Sequence, residues 1–267
     1  MILPVVAPMK KPTRKYSDYN QEESTMNTNL KQWLTGITLG LIMLTGCNAP
    51  SQEGGETGDD SAAEPSAESV NDWTDITATE YWRNYRADTI SGMWQMQDGQ
   101  LVLTDGGGGD IVTKKQYDDF ELELEWKISE GGNSGLFFNV VESDTLDRVY
   151  HSGPEYQLLD DERHPDAQNR KHRSGDNYDV QEATAEMANP AGEWNSTRLV
   201  VQGDQVEHYL NGQKIVEYEL GSAAWADSVA NSKFTQFPAY GTADSGHIAL
   251  QDHGDKIWFR NIRVKEL

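Results

Sequence analysis

Residues 120–128 read Phe-Glu-Leu-Glu-Leu-Glu-Trp-Lys-Ile. Phe120, Leu122, Leu124, Trp126 and Ile128 alternate with Glu121, Glu123, Glu125 and Lys127. A period of two with one apolar and one charged set describes a strand with one dry and one wet face. Working outward, residues 100–104, 136–141, 199–201, 206–210, 214–218, 247–251 and 256–264 are further strand candidates. Turn chemistry separates them: Gln202-Gly203-Asp204, Asn211-Gly212 and His253-Gly254-Asp255. Asn211-Gly212 suits a type I′ hairpin turn, which needs positive φ at both central residues. Residues 223–232 are the one helical insertion. The spacing predicts an all-β fold, a two-sheet antiparallel sandwich. From Asn71 to Leu267 the chain is long enough for one such domain. The four glycines Gly106–Gly109 lack the Lys-Ser/Thr of a phosphate loop and read as a flexible turn.

Upstream the composition changes. Residues 33–47, WLTGITLGLIMLTGC, form a short apolar run behind Lys31, and it ends in Cys47, the only cysteine of the chain. Such a run is short for a membrane span and reads as a lipoprotein signal peptide over 26–46 that begins at Met26, with Cys47 lipidated. Residues 1–25 then read as a spurious extension. Residues 47–70 carry Glu53, Glu56, Asp59, Asp60, Glu64 and Glu68 with no Lys or Arg, and few apolar residues. They read as an acidic tether that cannot bury enough surface to fold. The folded domain is expected over 71–267. The expected location is the cell envelope, lipid-anchored, either periplasmic or exposed on the outer membrane. The net charge of −22 and pI near 4.5 argue against nucleic acid and against electrostatic docking on anionic lipid.

Four clusters carry candidate chemistry. Gly131-Gly132-Asn133-Ser134-Gly135 leads into an apolar strand; it is either a tight turn or a close approach with Asn133 and Ser134 offered to sugar hydroxyls. In Gly153-Pro154-Glu155-Tyr156-Gln157-Leu158-Leu159, alternation puts Glu155 and Gln157 on one face and Tyr156 and Leu158 on the other. Gln251-Asp252-His253-Gly254-Asp255 gives His253 an acidic neighbour on each side of a strand end, as a turn residue or as a group that titrates near neutrality. The basic loop with Arg163-His164 and Arg170-Lys171-His172-Arg173 either covers a pocket or pairs with acidic surface. His-Glu-x-x-His and Gly-x-Ser-x-Gly are absent, which argues against a zincin or a serine hydrolase. A divalent metal on Glu125, Glu155 and His253 stays open without support from spacing. Trp194 and Trp258 are aromatic candidates for sugar stacking, although Trp258 reads better as packing.

EWKISEGGNSGLFFNVVES (125–143), GPEYQLLDD (153–161), AGEWNSTRLVVQGDQVEHYLNGQKIVEY (191–218) and GHIALQDHGDKIWFRNIRVKEL (246–267) together resemble the 3-keto-disaccharide hydrolase domain family. The resemblance implies a concanavalin A-like jelly-roll sandwich whose concave sheet holds sugar, often in an exported lipoprotein. One departure is Asn139, where many members have Arg. The implied activity is cleavage of glycosides already oxidised to a ketone at sugar C3. The ketone acidifies the C2 proton, so a base can form an enediolate and expel the C1 substituent. On this reading His253, Glu155 and Glu125 form the catalytic set, and Asn133, Ser134, Gln157, Gln251 and Asp252 hold the substrate. Such a substrate implies a partner oxidoreductase that makes it. A carbohydrate-binding module of the same fold is the alternative.

Overall fold

The computed structural model describes residues 72–267. The expected signal peptide, Cys47 and the expected acidic tether lie outside the described residues. Thirteen strands and one α-helix are present among those described. In chain order they are β1 (Thr74–Asp75), β2 (Trp82–Asn84), β3 (Trp94–Gln97), β4 (Gln100–Leu103), β5 (Ile111–Thr113), β6 (Phe120–Ile128), β7 (Asn133–Val140), β8 (Glu155–Leu159), β9 (Asn195–Gln202), β10 (Gln205–Leu210), β11 (Gln213–Glu219), α1 (Ala223–Ala230), β12 (His247–Leu250) and β13 (Ile257–Glu266). They form two antiparallel sheets, a jelly-roll sandwich of the concanavalin A-like kind. The eight-stranded sheet runs β11-β10-β9-β6-β13-β4-β3, with β1 also on β13, and the five-stranded sheet runs β2-β5-β12-β7-β8.

The alternation in β6 decides its place at the centre of the larger sheet. Phe120, Leu122, Leu124, Trp126 and Ile128 are buried between the sheets, and the four charged residues stay on the outer face. Across the core lie Leu136 and Phe138 of β7 and Tyr156 and Leu158 of β8. The buried polar atoms that bridge the layers are satisfied. Trp126 Nε1 donates to Thr197 Oγ1 at 3.0 Å, Thr197 to Tyr156 Oη at 3.1 Å, and Tyr156 Oη to the Tyr209 carbonyl at 3.1 Å.

The hairpin between β10 and β11 turns at Asn211 and Gly212, with φ of 49° and 84°. The helix starts one residue after Ser222, whose hydroxyl accepts from Trp225 N–H at 3.1 Å as an N-cap. It docks through Trp225, stacked on Tyr218 at 5.2 Å and on Tyr240 at 5.8 Å.

Two local readings change. Asn133-Ser134-Gly135 is not a turn before a strand but the first three residues of β7. Gly106–Gly109 is a fastened loop: Gly107 and Gly109 N–H groups donate to Asp252 Oδ2 at 2.9 and 2.7 Å. Gly106 lies so close to the Gly254 backbone that a Cβ there would overlap it.

The five-stranded sheet is covered on both faces, which explains why β7, β8 and β12 are buried at every position. On its outer face Val149, in the 3₁₀ turn Val149–His151, packs on Val112, Phe137, Val140 and Ala249 as a second small core. Residues 174–178 add to the free edge of β8: Gly175 N–H donates to the Gln157 carbonyl, Gln157 N–H to Asp176, and Tyr178 N–H to Glu155.

Candidate active site

Register defines the outer face of the smaller sheet. Val112, Ala249, Phe137 and Glu155 are paired in sequence across β5, β12, β7 and β8. Since Val112, Ala249 and Phe137 lie on the face turned away from the main core, Glu155 shares it. Two residues along, Gln251 N–H donates to the Gly135 carbonyl at 2.9 Å, and Gly135 pairs with Gln157. Gln251, Gly135 and Gln157 therefore form the next row on the same face. Gly135 leaves a gap in that row, and Glu155 fills it: a Cβ at 135 would overlap Glu155 Oε1 and lie 2.9 Å from Phe137 Cε2. Glycine is required here so that the carboxylate can lie over the middle of the sheet.

The residues around that carboxylate are buried and underused. Asn133 is 4 % exposed and Gln251 is 7 % exposed, yet Asn133 Oδ1 and Gln251 Oε1 have no hydrogen-bond partner. A buried polar atom left unpaired costs about 1–3 kcal/mol, so two unpaired acceptors beside a carboxylate mark a place built for a donor-rich ligand. Gln157, 1 % exposed, accepts from Leu158 N–H at its Oε1, 3.1 Å, and lies on the same face as Glu155.

His253 sits at the rim, in the turn after β12. Its ring meets His164 edge-on at 6.2 Å between centroids. His164 caps the 3₁₀ turn Pro165–Gln168: its Nδ1 accepts from Asp166 N–H at 3.2 Å, which leaves the proton of the neutral ring on Nε2. The turn that carries His253 is fixed by its neighbours. Asp252 Oδ1 accepts from Gly254 N–H at 2.9 Å, and Asp255 Oδ2 accepts from Asn133 N–H at 3.0 Å. The basic loop pairs with acid: Arg163 reaches Glu130 at 3.0 Å and Arg170 reaches Glu182 at 2.7 Å.

Behind this loop, His172 lies between Asp166 Oδ1 (2.7 Å) and Asp179 Oδ1 (3.0 Å) and stacks on Tyr178 at 4.1 Å. Burial opposes its charge, but the two carboxylates outweigh burial and hold the imidazolium up to about 9. This is a charged brace for the loop.

The structure does not bring all the expected residues together. Glu125 is on the outer face of the eight-stranded sheet, across a sandwich about 10 Å thick from Glu155. There Arg260 Nε and Asn261 Nδ2 each donate to it at 2.8 Å. Burial works against its charge, and these partners nevertheless keep its carboxyl below the ordinary range. A shared metal centre of Glu125, Glu155 and His253 is therefore ruled out by topology. Among the described residues no three His, Cys, Asp or Glu side chains group as metal ligands. Ser134 points to the inner side of β7 and donates to the Gln251 carbonyl at 2.8 Å, so it joins two strands and is turned away from the face that carries Glu155. The Asp252 carboxylate is engaged by the backbone of Gly107, Gly109 and Gly254, a fastening of the glycine loop. Trp258 is not core: it lies on the outer face of the larger sheet between Lys127 Nζ (4.7 Å) and Lys256 Nζ (4.8 Å).

Sequence reasoning missed Asp110. It precedes β5, and its Oδ1 accepts from Asp252 N–H at 3.0 Å. Burial, reinforced by the nearby Asp252 carboxylate, pushes its carboxyl up to about 7. Its only signal in the sequence is its position two residues before Val112 in a strand of alternating faces.

A buried carboxylate over a glycine, unpaired amide oxygens and a histidine rim on a jelly-roll sheet define a glycosidase-type enzyme. The comparisons with known proteins agree. A family model described as the 3-keto-alpha-glucoside-1,2-lyase-like domain matches residues 69–265. The chain is 38 % identical over 215 residues to a 3-keto-disaccharide hydrolase of Bacteroides thetaiotaomicron, covering 70 % of this chain and 74 % of that one. Two crystal structures of candidate glycosyl hydrolases from Parabacteroides distasonis share the fold. One is 34 % identical with a TM-score of 0.69, covering 73 % of this chain and 94 % of that one. The other is 27 % identical with a TM-score of 0.55, covering 73 % and 99 %. The chain belongs to the 3-keto-alpha-glucoside-1,2-lyase-like family.

Proposed function

We propose that the polar cluster around Glu155 on the outer face of the five-stranded sheet cleaves glycosides that carry a ketone at sugar C3. The observation that carries this reading is the Glu155 carboxylate held over Gly135, flanked by the unpaired acceptors of Asn133 and Gln251. Sugar hydroxyls satisfy those acceptors, and the Gln157 amide donates back. Glu155 takes the C2 proton made acidic by the ketone, and the electron pair moves to expel the C1 substituent. His253, with the Nε2–H of His164 beside it, moves protons at the rim. The product either leaves as the unsaturated ketone or takes up water at C1. An oxidoreductase acting on sugar C3 must supply such a substrate. Export and anchoring through a lipid on Cys47 would place the enzyme in the cell envelope with that partner.

The test is incubation of the full-length protein with methyl 3-keto-glucoside and with methyl glucoside, following methanol release. Release from the keto form alone is the expected result. Release from both points to an ordinary two-carboxylate glycosidase. Sugar binding without release from either makes the domain a carbohydrate-binding module.

A further inference from the structure

We infer that Asp110 is the acid that protonates the departing glycosidic oxygen. This rests on the 3-keto-glycoside reading and adds to it the group that reading lacks.

The placement follows from register. β5 pairs with β12 through Ile111–Leu250 and Val112–Ala249, and the Asp252 N–H to Asp110 Oδ1 bond continues the ladder by one step. Asp110 then stands opposite Gln251. Being two residues from Val112, it falls on the outer face with Gln251, Gly135 and Gln157. Gly135 is two strands away, about 10 Å at the usual strand spacing, and the Glu155 carboxylate leans over it. Asp110 and the Glu155 carboxylate thus stand on one sheet face about two strand spacings apart, at the upper end of the roughly 5–10 Å that acid–base pairs use across an anomeric centre. Gln251, with its unpaired Oε1, lies in the row between them.

The chemistry matches the position. One Asp110 oxygen, Oδ1, is fixed by Asp252 N–H at 3.0 Å. The charged groups around it are the Asp252 carboxylate, which favours the protonated form, and Arg148, which opposes it; the Tyr85 hydroxyl also lies within electrostatic reach. Burial is the largest influence and leaves the acid at about 7, so a proton is available at neutral pH. In the step itself, the C2–H bond breaks toward Glu155 and its electrons form the C1–C2 double bond conjugated with the C3 ketone. The C1–O bond breaks with its pair on the aglycone oxygen, and that oxygen takes the Asp110 proton. An alcohol leaves and Asp110 remains as carboxylate, to be reprotonated from water. No oxidant or reductant is consumed.

The experiment compares wild type with Asp110→Asn, which keeps the acceptor for Asp252 N–H and removes the proton. The full-length proteins are assayed from pH 5 to 9 on methyl 3-keto-glucoside, whose leaving group needs an acid, and on 4-nitrophenyl 3-keto-glucoside, whose leaving group does not. The expected result is a kcat loss of about 10²–10⁴-fold on the methyl substrate and less than about tenfold on the nitrophenyl one. The fall in rate above pH ~7 expected for wild type on the methyl substrate should be absent in the variant. Equal losses on both substrates would make Asp110 a fastening for the glycine loop and overturn the assignment. Should the variant fail to melt cooperatively, wild type alone answers. Its rate must depend steeply on leaving-group pKa at pH 9 and weakly at pH 5, and the same slope at both overturns the role. Wild type inert on both keto-glucosides overturns the activity reading, and this inference with it.

Discussion

The two outer faces of the sandwich use similar residues to opposite ends. On the larger sheet, a groove of about 680 Å³ is lined by Trp73, Glu123, Glu125, Arg198, Tyr209 and Arg263 among others. Its charges are matched: Arg198 to Glu121, Arg263 to Glu123 and Arg260 to Glu125. Its aromatic rings are covered by cations, with Arg198 3.5 Å from the Tyr209 centroid and Arg263 4.7 Å from that of Trp73. On the smaller sheet Asn133, Gln157, Glu155 and Gln251 are buried, the side-chain oxygens of Asn133 and Gln251 lack hydrogen-bond partners, and the Asp110 carboxyl is raised to about 7. The groove on the larger sheet is thus the quieter surface. Exposed, paired charge is worth only about 0–1 kcal/mol and asks for no ligand. Buried, unpaired polarity is a standing cost that a bound ligand can relieve, and beside the Glu155 carboxylate it supports the proposed site.

The comparison breaks most visibly with paired carboxamide variants. Glu155→Gln should lower kcat on a 3-keto-glucoside by about 10³-fold, and Glu125→Gln by less than about twofold. Both should melt within a few degrees of wild type, and steady-state kinetics with thermal melting check this. Comparable losses from the two would erase the distinction between the faces. Gln251→Leu sharpens it from the side of stability. It removes an unpaired buried amide, so stability should rise by about 1 kcal/mol while KM rises by about tenfold; urea unfolding and initial rates are the measurements. A loss of stability would mean that the amide is already satisfied.

The smallest effect concerns the brace beside the site. His172 is held at about 9 against an ordinary 6.5. The stability it contributes is therefore complete below pH 6.5 and is lost as pH rises through 9. The melting temperature should fall by a few degrees over that window, and His172→Gln should flatten this part of the profile. An unchanged slope in the variant would assign the alkaline loss elsewhere.

Much of the fold was legible because its signals are local. Alternation in residues 120–128 placed five side chains in the core, and Asn211-Gly212 closed a hairpin. The helical insertion read at 223–232 is the α-helix Ala223–Ala230. Glu155 and Gln157 were correctly separated from Tyr156 and Leu158 by the same period of two. The errors share a cause. Glu125 carries the same alternation as Glu155, and nothing in its neighbours along the chain says that its face is open and lined with Arg260 and Asn261. The glycine run looked free because its partner, Asp252, is more than 140 residues away.

The sequence by itself determined which residues form strands, which side of each strand is apolar, and the family to which the motifs belong. A period of two divides side chains between two faces, and hydrophobicity then chooses the inner one. Only the tertiary structure decided what covers each outer face. Strand order set Gly135 between Gln251 and Gln157, let the Glu155 carboxylate lie over it, and brought Asp110 into the same row from the far side of β12. Those neighbours come from pairings between distant segments. The burial that shifts Asp110 and leaves Gln251 unpaired is a property of the assembled layers, which no stretch of sequence carries alone.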